Sequence, residues 1–220
     1  MDEVNLQTYN DIAKEFSETR AYIWQCVKDF TKSLHQPSKI LEIGAGNGKN
    51  MEHIQTTTRC EIQGVDYCEN FVNICKTKNL QCTKADSKHL PFLQNSFDYV
   101  MCIAMFHHLL TEEDQTQSMN EILRVLKPNG KGIITCWSTE QPANSKFTFV
   151  AGVNVVPWKG RRGINKTRYY HVYSKQMFQQ YFESFQEIEI LDIYNEQGNW
   201  ILLFRKRKEC VTALANDRTP

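Results

Sequence analysis

Apolar residues recur at intervals of three, four or seven near the start of the chain, at Ile12, Phe16, Ile23, Val27, Phe30 and Leu34. This period predicts two helices within residues 8–34, broken near Ser17-Glu18-Thr19. The period then changes. Lys39 to Ile43 is a short apolar run ending in Gly44-Ala45-Gly46-Asn47-Gly48, a buried strand feeding a glycine loop, with helical character to about Gln55. Glu61 to Val65 ends at Asp66, a helix follows over roughly 69–79, and Gln81 to Ala85 ends at Asp86. Phe97 to Ala104 is the most apolar strand and therefore the expected centre of the sheet. Thr111-Glu112-Glu113-Asp114 is a capping-box-like start for a helix to Leu126. Pro128-Asn129-Gly130 then turns the chain into a strand over Ile133 to Trp137. Alternating strands and helices of this length predict an α/β fold, doubly wound, with a mostly parallel sheet covered on both faces.

The last third breaks that rhythm. Residues 138–172 show no clear periodicity and are too long for an ordinary connector. Ser174 to Phe185 is helical, with Met177, Phe178, Tyr181, Phe182 and Phe185 apolar. Glu187 to Tyr194 and Trp200 to Phe204 flank Asn195-Glu196-Gln197-Gly198, a hairpin signal. The expected organisation is one domain over 1–207, with 138–172 as an insertion, followed by a solvated, flexible tail over 208–220.

Composition changes this picture in one respect. The 220 residues carry 26 basic and 25 acidic side chains, a net charge of +1 that by itself argues against nucleic acid. The charge is lopsided, however: −3 over residues 1–150 and +4 over 151–220. Between Trp158 and Lys175 stand Lys159, Arg161, Arg162, Lys166, Arg168 and Lys175, with no acid among them. Trp158, Tyr169, Tyr170, His171 and Tyr173 are interleaved. Aromatic faces and cations together suit a single-stranded RNA loop, which is held by base stacking and phosphate contacts. The bland alternative is a solvated loop with core aromatics.

The eight cysteines form no C-x-x-C pair, and no histidine spacing suits zinc. Several lie in apolar periodic segments, so reduced core thiols in the cytosol or nucleus are expected. No secretory signal opens the chain. The longest apolar run, Tyr99 to Phe106, falls short of the ~20 residues a membrane span needs.

A strand, a glycine loop and a helix N-terminus make a cradle for a nucleotide-like ligand. Gly44, Gly46 and Gly48 follow G-x-G-x-G rather than the dinucleotide G-x-G-x-x-G, and no phosphate-loop G-x-x-x-x-G-K-[ST] exists. Asp66 ends the next strand, ~20 residues on, where a carboxylate accepts from ribose hydroxyls. Asp86 ends the third strand, in reach of an adenine amino group. Glu42 precedes the loop, where its charge could face a cationic ligand.

Leu41-Glu-Ile-Gly-Ala-Gly-Asn-Gly48, Gly64-Val-Asp66 and Ala85-Asp-Ser87 with Leu90-Pro91 resemble the first three motifs of class I S-adenosylmethionine-dependent methyltransferases. The resemblance implies a seven-stranded sheet of order 3-2-1-4-5-7-6 whose strand 7 is antiparallel. It implies that S-adenosylmethionine lies against Gly44, Gly46 and Gly48, with Glu42 and Ile103 beside it. Asp66 would hold the ribose, and Asp86 with Ser87 the adenine. Ile103-Ala-Met-Phe-His-His108 departs from the [N/D]-P-P-[Y/F] of base-amine methyltransferases.

A narrower resemblance rests on Tyr9-x-x-Ile-Ala-x-x-Phe-Ser-x-Thr-Arg20-x-x-x-Trp24, Ile103-Ala-x-x-His-His108, Trp137-x-x-Glu-Gln141, Val156-Pro-Trp-Lys159 and Arg168-Tyr-Tyr-His171. These are similar to the eukaryotic tRNA wobble-uridine carboxymethyl methyltransferases, which include the domain fused to an AlkB-type dioxygenase in animals. The chain departs from that pattern at Ala45, Tyr67-Cys68, Asn129 and Gln25. The implied activity is methylation of the 5-carboxymethyluridine carboxylate in the anticodon. A carboxylate of pKa ~4 is already ionised at pH 7 and needs no general base. Positioning alone can then supply roughly 7–11 kcal/mol of the barrier.

Arg20 is the expected orienting cation, against the alternative of a helix-surface charge paired with Glu15 or Glu18. His107 and His108 follow the central strand, where one could donate to the substrate. Trp137, Trp158, Lys159, Arg161, Arg162, Lys166, Arg168, Tyr169, Tyr170 and His171 are the candidate RNA contacts. The resemblance further implies a small zinc-binding activator subunit at the sheet edge near Gln81–Ala85, and no metal on this chain. Two rivals remain: a small-molecule O- or N-methyltransferase of the same fold, and a non-catalytic methyltransferase-like subunit.

Overall fold

Residues 3–160 and 165–208 are described by the structure, a computed structural model. Helices α1 (Glu3–Glu18) and α2 (Gln25–Lys32) open the chain, and the break between them follows the expected Ser17-Glu18-Thr19. There follow β1 (Lys39–Ile43), α3 (Lys49–Thr57), β2 (Glu61–Asp66), α4 (Glu69–Thr77), β3 (Cys82–Lys84), β4 (Phe97–Cys102), α5 (Glu112–Val125) and β5 (Leu126–Trp137). After β6 (Gly152–Lys159) and β7 (Asn165–Val172) come α6 (Lys175–Glu183), β8 (Ile188–Glu196) and β9 (Asn199–Lys206).

Seven strands form one sheet in the order β3-β2-β1-β4-β5-β9-β8, with β9 antiparallel to both neighbours. This is the implied 3-2-1-4-5-7-6 order, and β4 stands at its centre. Strand alternation sorts the core into two layers. Ile40, Tyr99, Met101, Ile133 and Ile201 face α2, α3 and α4. Leu41, Ile43, Val100, Cys102 and Ile134 face α5 and α6. A strand buried on both faces must be apolar, which explains the unbroken apolar run that starts at Tyr99 within β4, after the partly exposed Asp98.

Local chemistry sets the ends of the elements. Thr111 caps α5, its hydroxyl accepting from the Asp114 amide at 3.2 Å. Gln197 and Gly198, both at positive φ, turn β8 into β9. Pro128-Asn129-Gly130 makes a bulge inside β5 rather than a turn ahead of it, because Leu126 already pairs with Phe97 before the register shifts.

The expectation of irregular structure over 138–172 is corrected. β6 and β7 form a separate antiparallel ribbon from Gly152↔Val172 to Lys159↔Asn165. Its outward positions are the apolar Val153 and Val155, while the inner face holds the charged Arg168. That inversion of the usual strand pattern hides the period of two. α1 covers one edge, with Asn5 exchanging two 2.8 Å hydrogen bonds with the Tyr169 backbone and Thr8 donating to Thr167 O. Arg161, Arg162, Cys210 and the expected tail beyond residue 208 lie outside the described residues. The seven other cysteines are free and buried. Among the described residues no helix is long and apolar enough to cross a membrane.

Candidate active site

The carboxyl ends of β1, β2 and β4 open into a cleft of about 1010 Å³, including its mouth. Gly44 lies on its floor at φ +75, and any Cβ there would collide with the Met105 side chain. Gly46 also lines the cleft. Gly48 stands behind it as the residue preceding α3, at φ +74, where a Cβ would collide with Leu80. Its part is therefore to let the loop enter the helix closely packed. The loop is strapped to β2, since the amides of Gly44 and Ala45 both donate to Val65 O, at 2.8 and 3.0 Å.

Asp66 is buried, and its two oxygens accept from the Gly46 and Cys68 amides at 2.8 Å each. Burial pushes its pKa up to about 6 although those backbone N–H groups favour the charged form. Glu42 is more extreme. It is 1% exposed; Oε1 accepts from Asn50 Nδ2 at 2.6 Å, and Oε2 has no partner. Burial raises it to about 8. Asn50 Oδ1 is likewise unpartnered. Both groups line the cleft, so its floor presents two orphaned acceptors. Asp86, Ser87 and Ile103 line it too, and Asp86 Oδ1 accepts from the Lys88 amide at 3.0 Å.

The other wall comes from the N-terminal segment. Tyr9, Phe16, Arg20 and Trp24 all face the cleft. Asn47, inside the glycine loop, donates to the carbonyls of Ser17 and Arg20 at 3.2 Å each, and Lys49 Nζ to Tyr22 O at 2.8 Å. The cradle thus holds the segment that carries Arg20. The expected alternative for Arg20 was a pair with Glu15 or Glu18. Instead it donates to Thr19 and lies 4.6 Å from the Phe16 ring centroid. Desolvation and the neighbouring Arg168 cation lower its pKa.

The two histidines separate. His108 lines the cleft, its Nε2 3.2 Å from the Tyr9 hydroxyl, which in turn lies 2.9 Å from that of Tyr170. His107 is set back, packed on Trp137 and Tyr170. Burial pushes His107 down to about 3 and His108 well below the ordinary range, so both imidazoles are neutral at pH 7.

The basic-aromatic stretch is not one solvent-facing surface. Lys159 and Lys175 are exposed, whereas Lys166 pairs with Asp11. Arg168 and Tyr170 are buried, Trp158 packs on Phe16, and Trp137 lies 4.4 Å from Tyr170 between ring centroids. Tyr169 and His171 are half-buried. Sequence reasoning missed Tyr67 and Phe71 as cleft residues, and saw Tyr9, Phe16 and Trp24 only as a motif. At helical spacing they read as core, and they are core on one side and cleft wall on the other.

Known proteins bear on this geometry. A methyltransferase domain family model matches residues 41–134. A tRNA (carboxymethyluridine(34)-5-O)-methyltransferase of Arabidopsis thaliana is 35% identical over 70% of this chain, which spans 38% of that relative's length. One from Schizosaccharomyces pombe is 29% identical over 91% of this chain and 95% of its own. An Encephalitozoon cuniculi protein named "Putative methyltransferase" is 31% identical over 76% of this chain and 79% of its own. Among solved structures, the "Complex between the Haloferax volcanii Trm112 methyltransferase activator and the putative methyltransferase" matches with a TM-score of 0.69 at 13% identity, over 94% and 100% of the two chains. Similarity of that extent, carried on this sheet order, makes the chain a member of the class I S-adenosylmethionine-dependent methyltransferases, in the family that includes the tRNA (carboxymethyluridine(34)-5-O)-methyltransferases.

Proposed function

We propose that the chain methylates the carboxylate of 5-carboxymethyluridine at the wobble position of a tRNA anticodon, using S-adenosylmethionine. The carrying observation is the electrostatics of the cleft wall. Arg20, a cation with no acidic partner among the described residues, stands there with His108, and His107 lies behind; desolvation keeps both histidines weakly basic. Such a wall suits an acceptor that arrives already ionised rather than one awaiting a strong base.

The residues present fit the cofactor. Glu42 Oε2 and Asn50 Oδ1 are buried acceptors awaiting a donor, Asp66 is placed for vicinal hydroxyls, and Asp86 with Ser87 for an adenine edge. When bound, S-adenosylmethionine supplies an electrophilic methyl on a sulfonium. The chain's own residues would exclude water with Phe16, Phe71 and Met105, and hold the acceptor carboxylate with Arg20, a planar fork suited to that group. His108 and Tyr9 would fix the uracil, with His107 supporting His108 from behind.

Lys159, Lys175 and the undescribed Arg161 and Arg162 are the cations left for RNA phosphates. A small zinc-binding activator subunit would extend the sheet at β3, which pairs with β2 on one side only and exposes Thr83 and Lys84. The name of the haloarchaeal complex, a methyltransferase with an activator, supports such a partner. This reading puts the protein in the cytoplasm or nucleus as one domain over 1–207.

The test is labelled methyl transfer, with activator present, to tRNA carrying or lacking 5-carboxymethyluridine, read by nucleoside mass spectrometry. Label must enter the carboxymethyl nucleoside alone. Arg20→Ala must abolish transfer while cofactor affinity persists. Transfer to unmodified tRNA or to a small carboxylic acid at equal rate favours the small-molecule rival.

A further inference from the structure

Arg168 sits on the inner face of the ribbon, 5% exposed. A buried guanidinium without a counter-charge is costly, and proteins normally pair it. Lys166, two residues earlier on the same face, does take an acid, Asp11. Among the described residues no carboxylate reaches Arg168. Its guanidinium instead lies between two rings, 5.1 Å from the Trp158 centroid and 5.3 Å from that of Tyr170. One nitrogen is 3.5 Å from Pro157 O, at the limit of a hydrogen bond, and Nε has no partner at all.

Among the described residues, the ionisable groups that it faces are neutral or positive. Its field reaches Tyr9, Tyr170, His107, His108 and Arg20, and depresses both histidines and Arg20. Arg20 lines the cleft itself, whereas Arg168 stands outside the cleft lining, next to Tyr9, which does line it. Two guanidiniums, two phenols and two neutral imidazoles, with no acid among the described residues, describe an environment completed by an anion. Two aromatic faces hold the guanidinium plane meanwhile, which offsets part of the missing charge.

We propose that Arg168 is the buried arm of a two-arginine anion site, with the exposed Arg20 as its cleft-side arm, and that it selects an acceptor carboxylate over neutral analogues instead of contacting the RNA backbone. This rests on the carboxylate-acceptor reading above. Arg168 acts on the carboxylate through the Tyr9 hydroxyl that it faces, which makes it a positioning residue for specificity. The site also favours product release: the neutral ester product has no charge to offer, so the interaction that holds the acceptor is lost on methylation.

Binding of anticodon stem-loops discriminates the roles of Arg168. Wild type, Arg168→Met and Arg168→Lys, each with activator and saturating S-adenosylhomocysteine, are titrated with loops carrying 5-carboxymethyluridine, 5-carbamoylmethyluridine or uridine. Wild type should bind the carboxymethyl loop at least about 10-fold tighter than the carbamoylmethyl loop, as charged hydrogen bonds in a dry site imply. Arg168→Met should erase that preference, leave the other two loops and S-adenosylhomocysteine affinity within about 2-fold, and keep the salt slope. Arg168→Lys should retain part of it. A uniform loss on all three loops with a shallower salt slope makes Arg168 a phosphate contact and overturns the proposal. So does Arg168→Met with its preference intact. Should the Met variant fail to bind S-adenosylhomocysteine, the Lys variant decides, and a preference equal to that of wild type refutes a role for the fork. A wild type that itself shows no preference defeats the carboxylate reading, a result separable from failure of Arg168 alone.

Discussion

Glu42 carries a quantitative consequence for pH. In the folded chain without ligand its carboxyl is pushed up to about 8, from an ordinary 4.5, by burial beside a single hydrogen-bond donor. An acid raised on folding binds more protons in the folded state than in the unfolded one. Stability is therefore full below the ordinary value and declines as pH rises through 8. Between pH 6.5 and 8.5 the ligand-free protein should lose about 2 kcal/mol, RT times the logarithm of an approximately 25-fold change in protonation weight.

A ligand whose ammonium meets Glu42 Oε2 needs the charged carboxylate, a gain of about 25-fold over the same interval, offset roughly 4-fold by deprotonation of an α-amino group of pKa ~8, so its affinity should rise about 6-fold. Asp66, at about 6, is mostly ionised throughout this range and adds little. Calorimetric titration of S-adenosylmethionine at pH 6.5, 7.5 and 8.5 measures the slope, and buffers of different ionisation enthalpy count the proton released. Glu42→Gln should flatten the stability slope and remove the rise in affinity. An affinity independent of pH in wild type, or an equal slope in Glu42→Gln, would refute the placement of the cationic group and the buried acid together.

Asp66→Ala removes the acceptor of the Gly46 and Cys68 amides and should weaken S-adenosylmethionine at least about 10-fold by calorimetry, since buried charged hydrogen bonds contribute ~1.5–3 kcal/mol. Unchanged affinity would move the ribose elsewhere. Gly48→Ala forces a side chain into φ +74 and onto Leu80, and should cost about 1–3 kcal/mol, read as a melting point several degrees lower. An unaltered melting point would mean the loop relaxes freely. Lys159→Ala combined with Lys175→Ala should reduce the salt slope of anticodon-loop binding by about 1.4, whereas a slope equal to that of wild type would remove these two lysines from the RNA contact.

The fold was largely legible because each main-sheet strand carries its own signal. β4 is apolar on both faces, β1 runs into three glycines, and Gln197-Gly198 supplies the residues a tight hairpin requires. The ribbon was not legible. Its alternation is present, but Val153 and Val155 point outward and Arg168 inward, opposite to what burial rules lead one to expect. The cleft floor was legible too, since Glu42, Gly44, Asp66 and Asp86 sit at strand ends and the chain path alone delivers them to one edge.

By itself the sequence determined the sheet, its order through the family motifs, and the glycine-acid floor, because these depend on local period and on residues next to strand termini. Tertiary structure alone decided which of the four described cations of 158–175, Lys159, Lys166, Arg168 and Lys175, face water and which are enclosed. It split His108 from His107, and it set Arg20 and Arg168 against one cluster though they lie on opposite ends of the chain. The reason is physical. Desolvation and the balance of charge around a side chain depend on what packs against it from distant segments, and period and spacing along one strand carry no record of that.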